Sequence, residues 1–248
     1  MMPAALIITH GQPSEPEVAE AALAMVAAQV ADHMPGWRVG SATLAAEGRL
    51  AAAIGDLGPH GFVFPMFMAC GWFTGTHLPK RLAEAGGAGW QLTMPMGCNP
   101  AIQALATALV QEAMTKPAVE TDLILAAHGS GRSDAPSVIA HALARTIGHK
   151  LGLRSASAAF IDQSPRLADL PAYGSGTICL PYFAADGGHV QQDIPQALTQ
   201  AGFTGRLLPP LGIDPRVPPV IAQTLLSQSL LPLSPAAQRL DRPFLAEN

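Results

Sequence analysis

The sequence predicts an α/β protein made of two tandem, similar parallel-sheet domains of the doubly wound type, with a cleft between them. Three observations predict it. Short apolar runs alternate with Ala-rich helical stretches of about 10–18 residues. The runs carry no polar alternation, as strands covered on both faces require. The same landmarks then return in the same order later in the chain, the mark of an internal repeat.

The elements follow in order. Ala5-Leu6-Ile7-Ile8-Thr9 reads as a buried strand near 5–9 that opens into His10-Gly11. Ser14-Glu15-Pro16-Glu17 is a polar start, with Pro early, for a helix over 15–34. Further strands fall near 38–43, 61–65 and 90–94, with helices between and after them. Thr115-Lys116-Pro117 ends a helix, because proline lacks the N–H and clashes with the preceding turn. The chain therefore divides into an N-terminal domain, 1–117, and a C-terminal domain, 118–248. Leu123-Ile124-Leu125-Ala126-Ala127 then repeats the first strand and ends in His128-Gly129. Asp134-Ala135-Pro136-Ser137 starts a helix over 135–151, and strands are expected near 155–160, 176–180 and 205–208. The tail after Leu231 carries Pro232, Pro235 and Pro243 and is expected to pack as an extended arm.

The repeat is also visible in finer landmarks. Phe62-Val63-Phe64-Pro65-Met66-Phe67 matches Thr177-Ile178-Cys179-Leu180-Pro181-Tyr182-Phe183, each a strand closed by Pro and an aromatic residue. Gly75-Thr76-His77-Leu78-Pro79 is read against Gly188-His189-Val190, and Pro95-Met96-Gly97 against Pro210-Leu211-Gly212. The offsets are 118 residues for His10 and His128, 112 for His77 and His189, and 115 for the two Gly positions. Duplication accounts for them.

Composition narrows the function. The 248 residues are 49% hydrophobic and only 13% charged, and 14 Lys plus Arg stand against 18 Asp plus Glu. A formal charge of −4 argues against a polyanion-binding surface, so no nucleic-acid partner is expected. Cys70, Cys98 and Cys179 are too few and too scattered for a disulfide scaffold. Mean hydropathy is +0.26, but alanine supplies the excess. No uninterrupted apolar run reaches the roughly 18 residues of a membrane span. The first residues lack a basic region ahead of their short apolar run, so a cytoplasmic protein with no membrane partner is expected.

In open α/β sheets ligands bind beyond the carboxyl ends of the strands, where His10 and His128 fall. His189 follows two glycines and lies at a helix start, and His77 has a related setting. A helix N-terminus favours the neutral imidazole that a metal ligand or base requires. Asp162 ends the second strand of the second half, at the same sheet edge as His128. Two imidazoles and a carboxylate suit Co²⁺, Fe²⁺, Ni²⁺ or Zn²⁺. Each residue also has an ordinary reading: loop ordering for the histidines, a turn or helix cap for Asp162. The first half has no matching carboxylate unless Glu47 reaches back. Gly129-Ser130-Gly131-Arg132-Ser133 suits a carboxylate or phosphate. A Gly-x-Gly-x-x-Gly loop, a Walker loop, HExxH and CxxC are all missing. One nearby cation, Arg132, is too little for a phosphohistidine enzyme.

His128-Gly129-Ser130, Pro181-Tyr182-Phe183, Gly188-His189-Val190 and Asp193-Ile194-Pro195 together resemble the signature of the class II chelatases of the CbiX/SirB type. These are sirohydrochlorin cobaltochelatases and ferrochelatases, and nearly the whole chain resembles their two-domain form. The resemblance implies a chelatase-like fold and a lyase of cobalamin, siroheme or other porphyrin biosynthesis. Its reaction is insertion of cobalt or iron into sirohydrochlorin, with no permanent cofactor and with Co²⁺ or Fe²⁺ as the metal substrate. It implies that His128 and His189 hold the metal and accept pyrrole protons, with Asp162 where relatives place a third ligand, usually Glu. His10 and His77 are read as the corresponding catalytic pair of the first half. There the pattern departs, since His10-Gly11-Gln12-Pro13 replaces His-Gly-Ser and the loop before His77 is longer. Ser130, Arg132, Tyr182, Phe183 and Gly188 are the implied tetrapyrrole contacts. Trp72, Phe73, Met66 and Met68 are further candidates for apolar walls, although ordinary core packing is the better reading for each alone. Lys80, Arg81 and Arg166 are candidates for the carboxylate rim. The alternative is a non-catalytic tetrapyrrole or metal binding protein, or chaperone, of the same fold. A monomer or homodimer is expected, and duplication, by internalising a former dimer contact, makes the monomer reasonable.

Overall fold

The structure, a computed structural model, describes residues 2–131 and 133–230. Arg132 and the Pro-containing tail after Leu231 lie outside the described residues.

Two four-stranded parallel sheets are present. The first is built from β1 (Ala4–Thr9), β2 (Arg38–Thr43), β3 (His60–Pro65) and β4 (Gly89–Leu92), in the order β2-β1-β3-β4. The second is built from β5 (Asp122–Ala127), β6 (Ser155–Phe160), β7 (Thr177–Pro181) and β8 (Arg206–Leu207), in the order β6-β5-β7-β8. All pairings are parallel. The apolar runs sit where the sequence placed them. Leu6, Ile7 and Ile8 in β1, and Ile124 and Leu125 in β5, are fully enclosed, as central strands covered on both faces must be.

Helices α1 (Pro16–Asp32), α2 (Arg49–Leu57), α3 (Leu78–Glu84) and α4 (Pro100–Ala113) follow the strands of the first repeat. In the second repeat they are α5 (Ala135–Leu151), α6 (Ile194–Gln200) and α7 (Val217–Ser229). Local chemistry sets several ends. Asn99 caps α4 by accepting from the backbone N–H of Ala101 at 2.9 Å, with Pro100 at the first helical position. Gly152 closes α5 in the left-handed conformation at φ 66°. The expected helices over 15–34 and 135–151 thus form with ends shifted by no more than two residues.

By packing, one compact unit comprises Met1–Pro65, Cys70–Met94 and the described residues from Ile221 on; the other comprises Met66–Ala69 and Pro95–Val220. Helix α4, which closes the first repeat in sequence, packs on α5 and β7 and so belongs to the second unit. The division at 117/118 follows the repeat in the chain rather than this packing.

In both sheets the first strand has its sequence successor on one side and the third strand on the other. Right-handed crossovers then place successive helices on opposite faces. The carboxyl ends of β5 and β7 therefore border the point where the connections diverge, which is where open α/β sheets bind ligands.

At the opposite end of β5, Asp122 is buried and accepts from Arg154 Nε at 2.9 Å and Ser155 Oγ at 2.7 Å. The Arg154 hydrogen bonds hold the Asp122 carboxyl below its usual range despite desolvation. Its contribution is thus present above the unfolded carboxyl value of about 4 and is lost as pH falls through the lower folded value. Asp122→Asn is expected to cost about 2 kcal/mol at neutral pH, read by urea unfolding. An unchanged midpoint would remove this ion pair from the account.

Candidate functional site

Four side chains meet beyond β5 and β7. His128 follows the last residue of β5, and Gly129 turns the chain at φ 79°. A Cβ at Gly129 would lie 2.6 Å from Gln163 Cγ, so a larger residue is excluded by both conformation and space. Gln163 Oε1 in turn accepts from the Ser130 backbone N–H at 2.6 Å and fixes the loop. His189 opens a five-residue π-helical turn, His189–Asp193, that runs into α6. Val190 and Ile194 anchor the turn in a core with Ile124, Cys179 and Leu198.

His128 Nε2 and His189 Nε2 stand 3.2 Å apart, with the rings edge to face at 4.6 Å between centroids. Their other nitrogens are committed. His128 Nδ1 lies 3.2 Å from the Gly129 carbonyl and 3.3 Å from Asp162 Oδ2. His189 Nδ1 lies 2.6 Å from Asp193 Oδ2. These neighbours are acceptors, so each Nδ1 carries the proton. In that tautomer each Nε2 offers a lone pair in the space beside the other. Two lone pairs at 3.2 Å repel unless a cation or proton lies between them. At metal–nitrogen distances of about 2.0–2.1 Å, donors so spaced subtend roughly 100° at one ion, between octahedral and tetrahedral values. All four side chains are close to half exposed, which leaves the pair open to an incoming ion.

Asp162, expected as a third ligand, meets His128 at Nδ1. Its carboxylate oxygen lies 3.3 Å from that nitrogen, and its backbone N–H donates to the His128 carbonyl at 3.0 Å. Among the described residues no group of three or more His, Cys, Asp or Glu converges as a metal cage. The sequence marks Asp193 only as part of the Asp-Ile-Pro segment and gives it no role, although i and i+4 spacing on a helix puts two side chains on one face.

A cavity of about 130 Å³ adjoins the pair, walled by Met68, Ala127, Pro136, Tyr182 and Phe183. Tyr182 turns its ring there, but its hydroxyl is buried and donates to the Gly97 carbonyl; burial holds the phenol far above its usual range. Gly188 caps the π-helical turn with helical backbone angles. Burial pushes the Cys179 thiol up to about 12, so it is no thiolate ligand. A larger cavity, of about 320 Å³, is lined by Leu109, Arg206 and Asp214. Its acidic groups Glu112 and Asp214 are locked on Arg216.

The first repeat holds a different set. It too has a π-helical turn, Phe73–His77, running directly into α3 at Leu78-Pro79, as His189–Asp193 runs into Ile194-Pro195. Thr74 and Leu78 are buried like Val190 and Ile194. The turns align at an offset of 116 residues, so Phe73, not His77, occupies the position of His189. The ring contacts agree: His10 meets Phe73 edge to face at 6.0 Å, as His128 meets His189. His77 takes the place of Asp193 and stacks on the exposed Trp72 at 5.4 Å. Ala45, whose N–H donates to the His10 carbonyl at 2.8 Å, takes the place of Asp162; Glu47 does not. His77 was expected to pair with His10; in the turn it stands at the place of Asp193, and of the four polar groups His10 alone has a counterpart at the same position.

The CbiX family profile matches residues 122–228, the stretch that carries all four side chains. A solved structure described as CbiX, the terminal enzyme for siroheme biosynthesis in denitrifying bacteria, is 39% identical, with a TM-score of 0.82, and the match covers 92% of this chain and 100% of that one. The chain belongs to the CbiX/SirB-type class II chelatases. Two structures of SirB from Bacillus subtilis share the fold at lower identity. The one with Fe³⁺ is 16% identical at a TM-score of 0.70, covering 92% of this chain and 98% of that one. The other, from subspecies spizizenii in complex with cobalt, is 14% identical at 0.63, covering 92% and 93%. No curated protein matches. Membership in this chelatase family supports metal–tetrapyrrole chelation as the chemistry. Among the described residues no helix is long and apolar enough to cross a membrane.

Proposed function

We propose that this protein inserts cobalt or iron, as the divalent ion, into sirohydrochlorin, and that the His128–His189 pair of the second repeat performs the step. The observation that carries this reading is the pair of Nε2 atoms 3.2 Å apart, with both Nδ1 positions already bonded to acceptors. Two imidazoles hold a divalent ion while leaving most of its coordination sphere to water or to an incoming macrocycle. A permanent cage would retain the ion, whereas insertion requires release, so a sparse nitrogen set suits the task. The relative described as acting in siroheme biosynthesis points to sirohydrochlorin as the macrocycle.

The balance of the step is simple. One divalent ion enters and two pyrrole N–H protons leave. As the ion passes to the ring nitrogens, the Nε2 lone pairs are freed next to the departing protons and accept them. The wall of Met68 and Phe183 offers apolar contact to the flat ring. The Ser130 loop, held by Gln163, offers polar contact to a carboxylate. Gly188 keeps side-chain bulk away from the approach to His189. Arg132 is proposed for the same carboxylate contact from its sequence position alone.

The test is anaerobic absorption spectroscopy of sirohydrochlorin with Co²⁺ and with Fe²⁺, at substrate well above enzyme. Repeated turnover above the uncatalysed rate, with release of the metallated product, is expected. One equivalent of product retained on the protein would make it a binding protein. No enhancement with either metal would contradict the proposal.

A further inference from the structure

We propose that Asp193 is a positioning residue: it holds His189 with Nδ1 protonated and Nε2 aimed at the ion. The inference rests on the reading of the His128–His189 pair given above and assigns a role to a residue outside that pair. Asp193 Oδ2 lies 2.6 Å from His189 Nδ1. Both belong to one π-helical turn, in which the N–H of Ile194 donates to the His189 carbonyl. Such turns are rare and concentrate at functional sites. Here Val190 and Ile194 bury one side of the turn, so His189 and Asp193 project from the other.

The internal repeat supplies an independent observation. The corresponding turn in the first half keeps its buried anchors, Thr74 and Leu78, but places Phe73 where His189 stands and His77 where Asp193 stands. The carboxylate is absent where the imidazole it would orient is absent. An acid needed only for the turn itself would have no reason to follow the histidine. A carboxylate on the far nitrogen of a ligating histidine sets tautomer and ring plane, and its loss typically weakens metal binding about 10–100-fold.

The probe is Co²⁺ alone, titrated into the full chain under anaerobic conditions and followed by its visible absorption. In parallel, long-range ¹H–¹⁵N NMR of the histidine rings reports the His189 tautomer without metal. Asp193→Asn preserves shape but also offers an amide N–H to Nδ1, so His189 is expected to move its proton to Nε2. Co²⁺ binding is expected to weaken about 10–100-fold, with an unchanged thermal midpoint. Asp193→Glu is expected to restore the tautomer and part of the affinity. An unchanged tautomer in Asp193→Asn, unchanged Co²⁺ affinity, or a lowered midpoint that accounts for the whole loss would each overturn the proposal. None of these readouts involves sirohydrochlorin. Normal Co²⁺ binding without turnover would therefore overturn the proposed function and leave the role of Asp193 standing.

Discussion

His189→Phe is expected to remove metal insertion while leaving the fold intact. The first repeat already carries this exchange: Phe73 occupies the equivalent place and keeps the edge-to-face contact with its histidine, at 6.0 Å from His10. Phenylalanine fills the volume of the imidazole and has no lone pair to offer. The remaining His128 supplies a single nitrogen, and the Asp193 carboxylate loses its N–H partner. Loss of both a metal donor and a proton acceptor is expected to lower turnover by at least about 10²-fold, the lower end of what a positioned acid or base contributes. Anaerobic turnover and Co²⁺ titration of the same preparation check it, with circular dichroism reporting the fold. Turnover within a few-fold of wild type would remove His189 from the chemistry.

The converse exchange is expected to give the first repeat a metal site. Ala45→Asp, Phe73→His and His77→Asp together would supply the groups that stand at 162, 189 and 193 in the second repeat. His10 is already present and exposed. The backbone that carries them is shared. Ala45 and Asp162 are tied to the preceding histidine carbonyl in the same way, and both π-helical turns run into a helix at an apolar residue followed by Pro. Co²⁺ titration is expected to show a second equivalent bound, and His10→Ala in that background is expected to remove it. Binding that stays at one equivalent would mean that the four groups are insufficient without further surroundings.

Much of this was legible in the sequence, for physical reasons. Central parallel strands are buried on both faces, so β1 and β5 appear as unbroken apolar runs, and the loops that end them carry His10 and His128. Repetition made the architecture readable even though β8 is only two residues long. Matching histidine to histidine does not reveal that His77 and His189 stand at different places in otherwise equivalent turns. The signal for the register of the turns is in the chain. Leu78-Pro79 and Ile194-Pro195 are the buried anchor and helix start of the two turns, and aligning them brings Phe73 onto His189. Asp162 stands two residues past the end of β6, and which nitrogen of His128 it faces depends on side-chain direction after a loop. No periodicity encodes that. The assignment of α4 to the second packing unit is likewise invisible locally, since any amphipathic helix can satisfy its apolar face on more than one surface.

One measurement bears most directly on the central claim, that the histidine pair of the second repeat carries the reaction. Anaerobic absorption spectroscopy would follow sirohydrochlorin with Co²⁺ or Fe²⁺ for wild type, for His128→Ala with His189→Ala, and for His10→Ala with His77→Ala. The expected result is loss of the rate enhancement in the first double variant and its retention in the second. Loss confined to the second would move the chemistry to the first repeat and contradict this account.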